Sequence, residues 1–443
     1  MSAVAVELAR GTAGPVRLED LVSPLGGLVG DVRQLPVQPS DPPLAVFSAG
    51  LGDVSAVLPY LCDPACLGRL DGTGTGVDPD RAATVAVAEA LERYSTCVYD
   101  ERQFRWASAD ELGAQALDLD SLPRCSPTEL ADPACPVTPP DRSAPMRWVR
   151  GLNLRTGEPT WVPAVLVYLH LPARGPGERF TSPISTGTAA HPDPAVAVCG
   201  ALCEVIERDA VSLTWLQRLA LPRIELDTVG PELRRYLDVF ADRDVTVHLF
   251  DATTDVGIPT VYGVSVAPDH PTCRTVVSCS TSLDPQAAAA KALCETASVR
   301  IALRGARPSG ADVGSFGTIL DGAAHMSDPE RAAAFDFLLD TPARRRLSDL
   351  PTLTSGDPGA DLRLVRSRLA DRGLDAYVVD LTSDEALRAG MTVVRTVIPR
   401  LQPLSFSYRA RYLGHPRLYR APARMGHPTR SEAELNPWPQ PFA

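Results

Sequence analysis

Residues 185–210 read STGTAAHPDPAVAVCGALCEVIERDA, and this stretch sets the plan of the whole chain. A small polar segment leads into Asp193-Pro194, an N-cap residue followed by proline at the first helical position. The run after it is rich in alanine and valine, which predicts a helix apolar nearly all round and therefore buried. Glu204 stands eleven residues after Asp193 and Glu207 three further on, so the two carboxylates share a helix face. The design recurs. Residues 72–95, GTGTGVDPDRAATVAVAEALERYS, repeat it with Asp78, Glu89 and Glu92. Residues 278–302, SCSTSLDPQAAAAKALCETASVRIA, repeat it with Asp284 and Glu295, but place Ser298 where the second glutamate belongs. Arg93 and Arg208 follow the second carboxylate in two copies, and Arg300 comes one place later in the third.

Buried carboxylate pairs repel, and their charged forms are costly unless a cation compensates. Two such pairs brought together suit Mg²⁺, a hard ion that takes oxygen ligands and bridges to phosphates. The small-residue segments read as loops, able to offer backbone N–H groups and hydroxyls at a positive helix end. The plainer alternative is ordinary ion pairing on a helix surface. Three copies in register favour the functional reading. His191, in the second segment, reads as a structural or capping residue more readily than as an acid or base.

The surroundings narrow the classes. The chain has 443 residues, is 44% hydrophobic and 22% charged, and so has ample material for a core. A net charge of −11 argues against nucleic acid or an anionic membrane as the main partner. No apolar run reaches the roughly 18 residues of a membrane span. The opening MSAVAVELARG has Glu7 inside its apolar stretch and no basic leader, so no signal peptide and a cytoplasmic location are expected. Ten cysteines are too dilute for a disulfide scaffold, and the Cys62/Cys66 pair lacks a second ligand pair at zinc-finger spacing. The single lysine, Lys291, follows no glycine loop, so a phosphate-binding lysine loop and a Schiff-base mechanism are both set aside. No HExxH or GxSxG occurs either.

The fold class is mixed α/β, with the repeated unit packed on mostly antiparallel or mixed sheets. Residues 161–171, 245–252, 260–267 and 275–280 read as strands, and 231–243 and 361–373 as amphipathic helices. One domain is expected over 1–443: an N-terminal segment 1–70, a repeat core 71–345, and a C-terminal part 346–443. Residues 386–431 hold nine arginines and no acid, and Arg409 and Arg411 alternate as on a strand face. Contact with phosphate or acidic peptide and a merely solvated face are evenly matched readings of that segment.

With ALERYS, CEVIERDAVSLTWLQRL, the opening LVSPLGGLVGDVRQLP and the ending LNPWPQPFA in view, the chain resembles the YcaO superfamily. The subgroup resembled is the azoline-forming cyclodehydratase of thiazole/oxazole peptide biosynthesis. The resemblance implies ATP and Mg²⁺ as cofactors. It implies metal and phosphate binding by Glu89, Glu92, Glu204 and Glu207, with Thr73, Thr75, Ser185, Thr186, Arg208 and Arg300 also on the nucleotide. Where the family often has Lys, Asn and Gln, this chain has Thr75, Thr186 and Ser298. The implied reaction cyclises Cys, and with it Ser or Thr, in a ribosomal precursor peptide. The side chain attacks the preceding carbonyl, the oxyanion is phosphorylated by ATP, and phosphate leaves to give the azoline. A thioamide or macroamidine product, or a non-catalytic scaffold, remain as alternatives. About 70 residues precede the first copy, so a separate leader-peptide-binding protein is expected, with a homodimer as the family's usual state. The tail carries Pro437, Pro439 and Pro441 at alternate positions and ends at Ala443, a stiff segment that looks built to dock. By resemblance it lies at the active site, where it positions or deprotonates the peptide nucleophile.

Overall fold

The computed structural model describes residues 16–38, 41–55, 57–61, 70–182, 184–241, 243–310 and 312–443. Cys62 and Cys66 lie outside the described residues. Among the described residues, three sheets make up the β structure. The first is antiparallel, in the order β1 (Asp31–Gln34), β2 (Ala45–Gly50), β3 (Gly72–Gly76). The second is antiparallel and runs β4 (Arg105–Ala107), β5 (Met146–Asn153), β13 (Tyr377–Asp380), β14 (Thr392–Val397), β7 (Thr188–His191). A further strand, β6 (Pro159–Pro163), pairs with β5. The third sheet runs β11 (Thr275–Thr281), β10 (Thr260–Val266), β9 (Thr246–Asp251), β8 (Arg223–Glu225), β12 (Arg344–Arg346). Only its β8–β12 pairing is parallel. The mixed α/β class with mostly antiparallel sheets is what the structure shows.

The repeat organises all three sheets. β3, β7 and β11 are each a terminal strand of a different sheet. Each feeds a helix of the repeat: α1 (Pro79–Ser95), α2 (Pro194–Leu216) and α3 (Pro285–Leu303). All three helices start as the sequence dictates. Asp78 caps the backbone N–H of Asp80 and Arg81, Asp193 those of Ala195 and Val196, and Asp284 that of Gln286. Proline follows each cap, where its missing N–H costs no hydrogen bond.

The small-residue segments were expected to be loops, although residues 275–280 ahead of α3 were also read as a strand, which they form. Ahead of α2 a turn at 185–187 precedes the short strand β7. Ahead of α1 the whole of GTGTG is strand, and the reason is steric. A Cβ on Gly72 would come within 2.1 Å of the Ala86 carbonyl, and one on Gly74 within 1.8 Å of the Ala82 carbonyl. The glycines of GTGTG let β3 lie directly against the backbone of α1, which leaves Thr73 and Thr75 on a strand. Two other readings fail. Of residues 161–171, only the start is strand; a 3₁₀ turn takes over at Ala164–Leu166, directly after Pro163. Residues 406–414 form no strand, because Arg409 and Arg411 are drawn to Asp132 and to the Asn436 carbonyl.

The positive segment 386–431 is largely consumed inside the molecule. Arg417 is buried between Asp209 and Asp255, with Nη2 at 2.6 and 2.7 Å from their carboxylates. Asp209 also accepts from the Gln402 backbone N–H, so this member of the ERDA block braces the C-terminal region. Strands from the N-terminal and C-terminal thirds share one sheet, which fixes the repeat core from both sides.

Candidate active site

The three helices bring their carboxylates to one place, and the backbone holds them there in a repeating geometry. Glu89 Oε2 accepts from the Thr73 N–H at 2.6 Å, on the strand ahead of its own helix. Glu204 Oε2 accepts from the Gly187 N–H at 2.9 Å in the matching place. Gly187 has φ +86°, and a Cβ there would meet the Thr396 carbonyl at 2.5 Å, so glycine is required. The second oxygen of each glutamate takes the arginine four residues on. Arg93 Nη2 lies 2.6 Å from Glu89, and Arg208 Nη2 lies 3.1 Å from Glu204.

The second carboxylates reach forward to the next copy. Glu92 accepts from the Thr188 hydroxyl on β7. Glu207, 2% exposed, accepts from the Thr281 N–H on β11 at 3.0 Å and from Arg208 Nη1 at 2.9 Å. Ser298 Oγ accepts from the Thr75 hydroxyl on β3 at 3.1 Å, which closes the ring. Burial, with Glu204 and Glu89 nearby, pushes the Glu92 carboxyl up to about 7. Burial also raises Glu207, against the opposing pull of Arg208 and Lys291.

Several members of the cluster escape sequence reasoning. Lys291, set aside as a catalytic lysine, sits one turn before Glu295 with Nζ at 3.4 Å. The charge of Glu295, followed by those of Glu207 and Glu204, holds its ammonium above the ordinary lysine range. Its i,i+4 spacing to Glu295 was a usable signal. Arg395 comes from β14, 7% exposed, with Nε on the Leu166 carbonyl at 3.1 Å. Burial lowers it to about 10, while Glu204 and Glu92 act the other way. Nothing local in the sequence marks Arg395.

Other predicted residues sit differently. Ser185 offers its carbonyl to the Thr188 hydroxyl, and Thr186 borders a cavity beside Arg208. His191 Nδ1 accepts from the Asp193 N–H at 2.9 Å, a turn contact. Arg300 is turned away from the cluster toward Ser265 Oγ at 3.2 Å and the Cys273 carbonyl at 2.9 Å, and is 6% exposed. The tail runs back along α2. Asn436 N–H donates to the Leu216 carbonyl at 2.8 Å, Trp215 Nε1 donates to the Trp438 carbonyl at 3.2 Å, and the Pro437 carbonyl accepts from Tyr408 at 2.7 Å. Pro439 and Pro441 are buried, Phe442 lies 4.4 Å from the Arg208 guanidinium, and Ala443 packs near Cys273 and Leu303.

Among the described residues, no group of three His, Cys, Asp or Glu converges as a closed metal centre. The carboxylates stand in pairs instead; Glu89, Glu204 and Glu207 each have one oxygen on a backbone N–H and the other on an arginine, and Glu92 has one on the Thr188 hydroxyl. That donor set fits Mg²⁺ bridged to phosphates, which uses one or two carboxylates rather than an all-protein cage. The upward-shifted Glu92 and Glu207 are groups whose charge an arriving cation would stabilise.

Comparison with known proteins agrees. A family model described as YcaO cyclodehydratase, ATP- and Mg²⁺-binding, matches residues 73–402. An uncharacterized protein in the tfuA 3′ region of Rhizobium leguminosarum bv. trifolii is 33% identical over 252 residues, 53% of this chain and 56% of its own. A heterocyclase solved in complex with substrate and cofactor superposes with TM-score 0.80 at 23% identity, over 96% of this chain and 56% of that one. YcaO from Methanopyrus kandleri, bound with AMPPCP and Mg²⁺, gives TM-score 0.59 at 21% identity, over 84% and 86%. The two structures establish likeness of fold. The chain spans just over half the length of the Rhizobium relative and of the heterocyclase.

Proposed function

The chain belongs to the YcaO family, and on that premise we propose that it carries out ATP-dependent cyclodehydration of Cys, and of Ser or Thr, in a ribosomally made precursor peptide. The observation that carries this reading is the duplicated Glu–Arg geometry of α1 and α2 facing a third helix that brings Lys291. Glu89, Glu92, Glu204 and Glu207 would hold Mg²⁺ and the polyphosphate, with Thr73, Thr75, Ser185 and Thr186 beside it. ATP supplies the phosphoryl group that turns a backbone amide oxygen into a good leaving group.

The residues then have separable tasks. Backbone N–H groups of Thr73 and Gly187 fix the rotamers of Glu89 and Glu204 before any ligand arrives, so little reorganisation remains. Arg208 bridges Glu204 and Glu207 and can exchange either contact for a phosphate oxygen, the pairing its planar fork suits. Arg300 would reach the nucleotide only by leaving Ser265 and the Cys273 carbonyl. Glu92 and Glu207, both raised by burial, are carboxylates whose charged forms a bound cation would favour. Phe442 covers Arg208, which ties the tail to the phosphate-binding side of the site.

The stiff tail, Pro437, Pro439 and Pro441 through Ala443, belongs to the same proposal as the element that positions the peptide nucleophile. So do a separate leader-peptide-binding partner, a homodimer, a single domain over the chain, and action in the cytoplasm. None of the eight described cysteines is joined in a disulfide, which suits a reducing compartment. No described helix is long and apolar enough to cross a membrane.

The direct test is incubation with a precursor peptide, its leader-binding protein and ATP–Mg²⁺. The expected result is loss of one water per ring by mass spectrometry together with ADP release; absence of both overturns the reading. Deleting residues 437–443 should cut ring formation far more than melting temperature or ATP affinity. Equal losses in all three would reduce the tail to a structural staple.

A further inference from the structure

Next to the carboxylate cluster lies a cavity of about 120 Å³ whose walls are of the opposite character. Leu166, Phe180, Val205, Val397, Leu401 and Leu404 are among the apolar side chains that line it, and Arg208, Arg395 and Thr186 stand where it meets the charged site. A dry apolar cavity of roughly 150 Å³ accepts benzene, so this one is of a size for a single aliphatic side chain. Charged groups would be penalised there by desolvation.

Two residues of the lining, Arg395 and Gln402, each carry a buried polar atom with no partner among the described residues. Arg395, 7% exposed, uses Nε on the Leu166 carbonyl, while its buried Nη1 has no hydrogen-bond partner among the described residues. Gln402 is 1% exposed, and its Nε2 is placed by the Arg411 and Tyr412 carbonyls, both at 3.3 Å. That contact fixes the amide orientation and leaves Oε1 buried and unpartnered. Buried donors and acceptors are nearly always satisfied, so this pair points to something that brings its own acceptor and donor. A peptide does both. When an aliphatic side chain enters an apolar cavity, the carbonyl and N–H of its backbone go in with it and need pairing.

We infer that this cavity is a specificity subsite for the substrate peptide, taking the aliphatic side chain (leucine-, isoleucine-, valine- or methionine-like) of a residue beside the one modified. Its backbone carbonyl pairs with Arg395 Nη1 and its N–H with Gln402 Oε1. The inference rests on the proposed peptide-modifying reading, because it is the neighbouring carboxylate cluster that makes the occupant a substrate. Arg395 then serves two neighbours, the cluster through its charge and the peptide through its free N–H.

The probe is N-acetyl-leucine N′-methylamide, compared with N-acetyl-aspartate N′-methylamide, titrated into the full chain by ligand-observed NMR. The leucine probe should bind about tenfold or more tightly, the preference expected for burying one aliphatic side chain. Val397→Phe and Val205→Phe each fill the cavity and should abolish that preference. Melting temperature and calorimetric ATP–Mg²⁺ affinity identify whichever variant keeps its fold and nucleotide site. Gln402→Leu should weaken the leucine probe severalfold. Equal binding of the two probes, indifference to both filling variants, or displacement of the leucine probe by ATP–Mg²⁺ would overturn the inference, the last by assigning the cavity to the nucleotide. If ATP–Mg²⁺ fails to bind the wild type while the leucine preference survives, the enzymatic reading fails and the subsite stands. ATP binding without the preference is the reverse.

Discussion

The first two copies of the repeat and the third share one scaffold and differ in chemistry. In copies one and two, a glutamate reaches back to its own strand, binds the arginine four residues on, and a second glutamate reaches forward to the next copy. The third copy keeps the strand, the capped helix and the forward contact, but makes that contact with Ser298 and carries Lys291 in place of an arginine. The ring of contacts therefore closes through all three copies, while the paired carboxylates sit on only two. The scaffold role and the ligand role of this motif are separable, and the third copy shows the first without the second.

The comparison breaks most visibly at the first glutamates. Glu89→Gln and Glu204→Gln keep the size and the backbone contact but remove the charge, so each should lower ATP hydrolysis by about 100-fold or more, as loss of a preorganised electrostatic contact does. Phosphate release measured beside circular dichroism checks this, and full activity in either variant would show the two copies to be unequal. Lys291→Met tests what the third copy adds. It removes a cation that lowers Glu207 electrostatically, so ATP–Mg²⁺ affinity should fall about tenfold. The acidic limb of the pH profile should move upward, because Glu207 then holds its proton to higher pH. Unchanged affinity and profile would leave the third copy purely structural.

The smallest expected effect concerns Glu92. Its carboxyl is raised from 4.5 to about 7 in the folded chain, chiefly by burial. Its contribution to stability is thus fully present below pH about 4.5 and is lost as pH rises through about 7. The melting temperature of the nucleotide-free protein should decline across that window, and Glu92→Gln should flatten the decline by a few degrees. An identical slope in the variant would show that Glu92 is not the group responsible.

Legibility in the sequence followed the range of the forces involved. The helices of the repeat, their Asp-Pro starts and the shared face of each glutamate pair were readable, because all depend on neighbours within a turn or two. GTGTG was misread as a loop because alternating Gly and Thr carry no hydrophobic alternation. Its glycines answer to a helix backbone lying against them, which the local sequence does not record. Residues 161–171 are as β-branched as a strand, yet only the part up to Pro163 has a sheet partner. The arginines at 409 and 411 alternate as a strand face would, but acceptors elsewhere in the chain decide their placement.

The sequence by itself determined three capped helices, their buried faces, and which side chains each helix turns in one direction. Those are consequences of periodicity, proline geometry and local hydrogen bonding, which act along the chain. Only the tertiary structure decided that Glu92 meets Thr188, that Glu207 meets Thr281, and that Ser298 meets Thr75. It likewise turned Arg300 away from the carboxylates, brought Lys291 and Arg395 to them, and laid Phe442 on Arg208. Each of these depends on three sheets presenting their end strands to a common centre, where electrostatics and packing act through space between residues far apart in the chain.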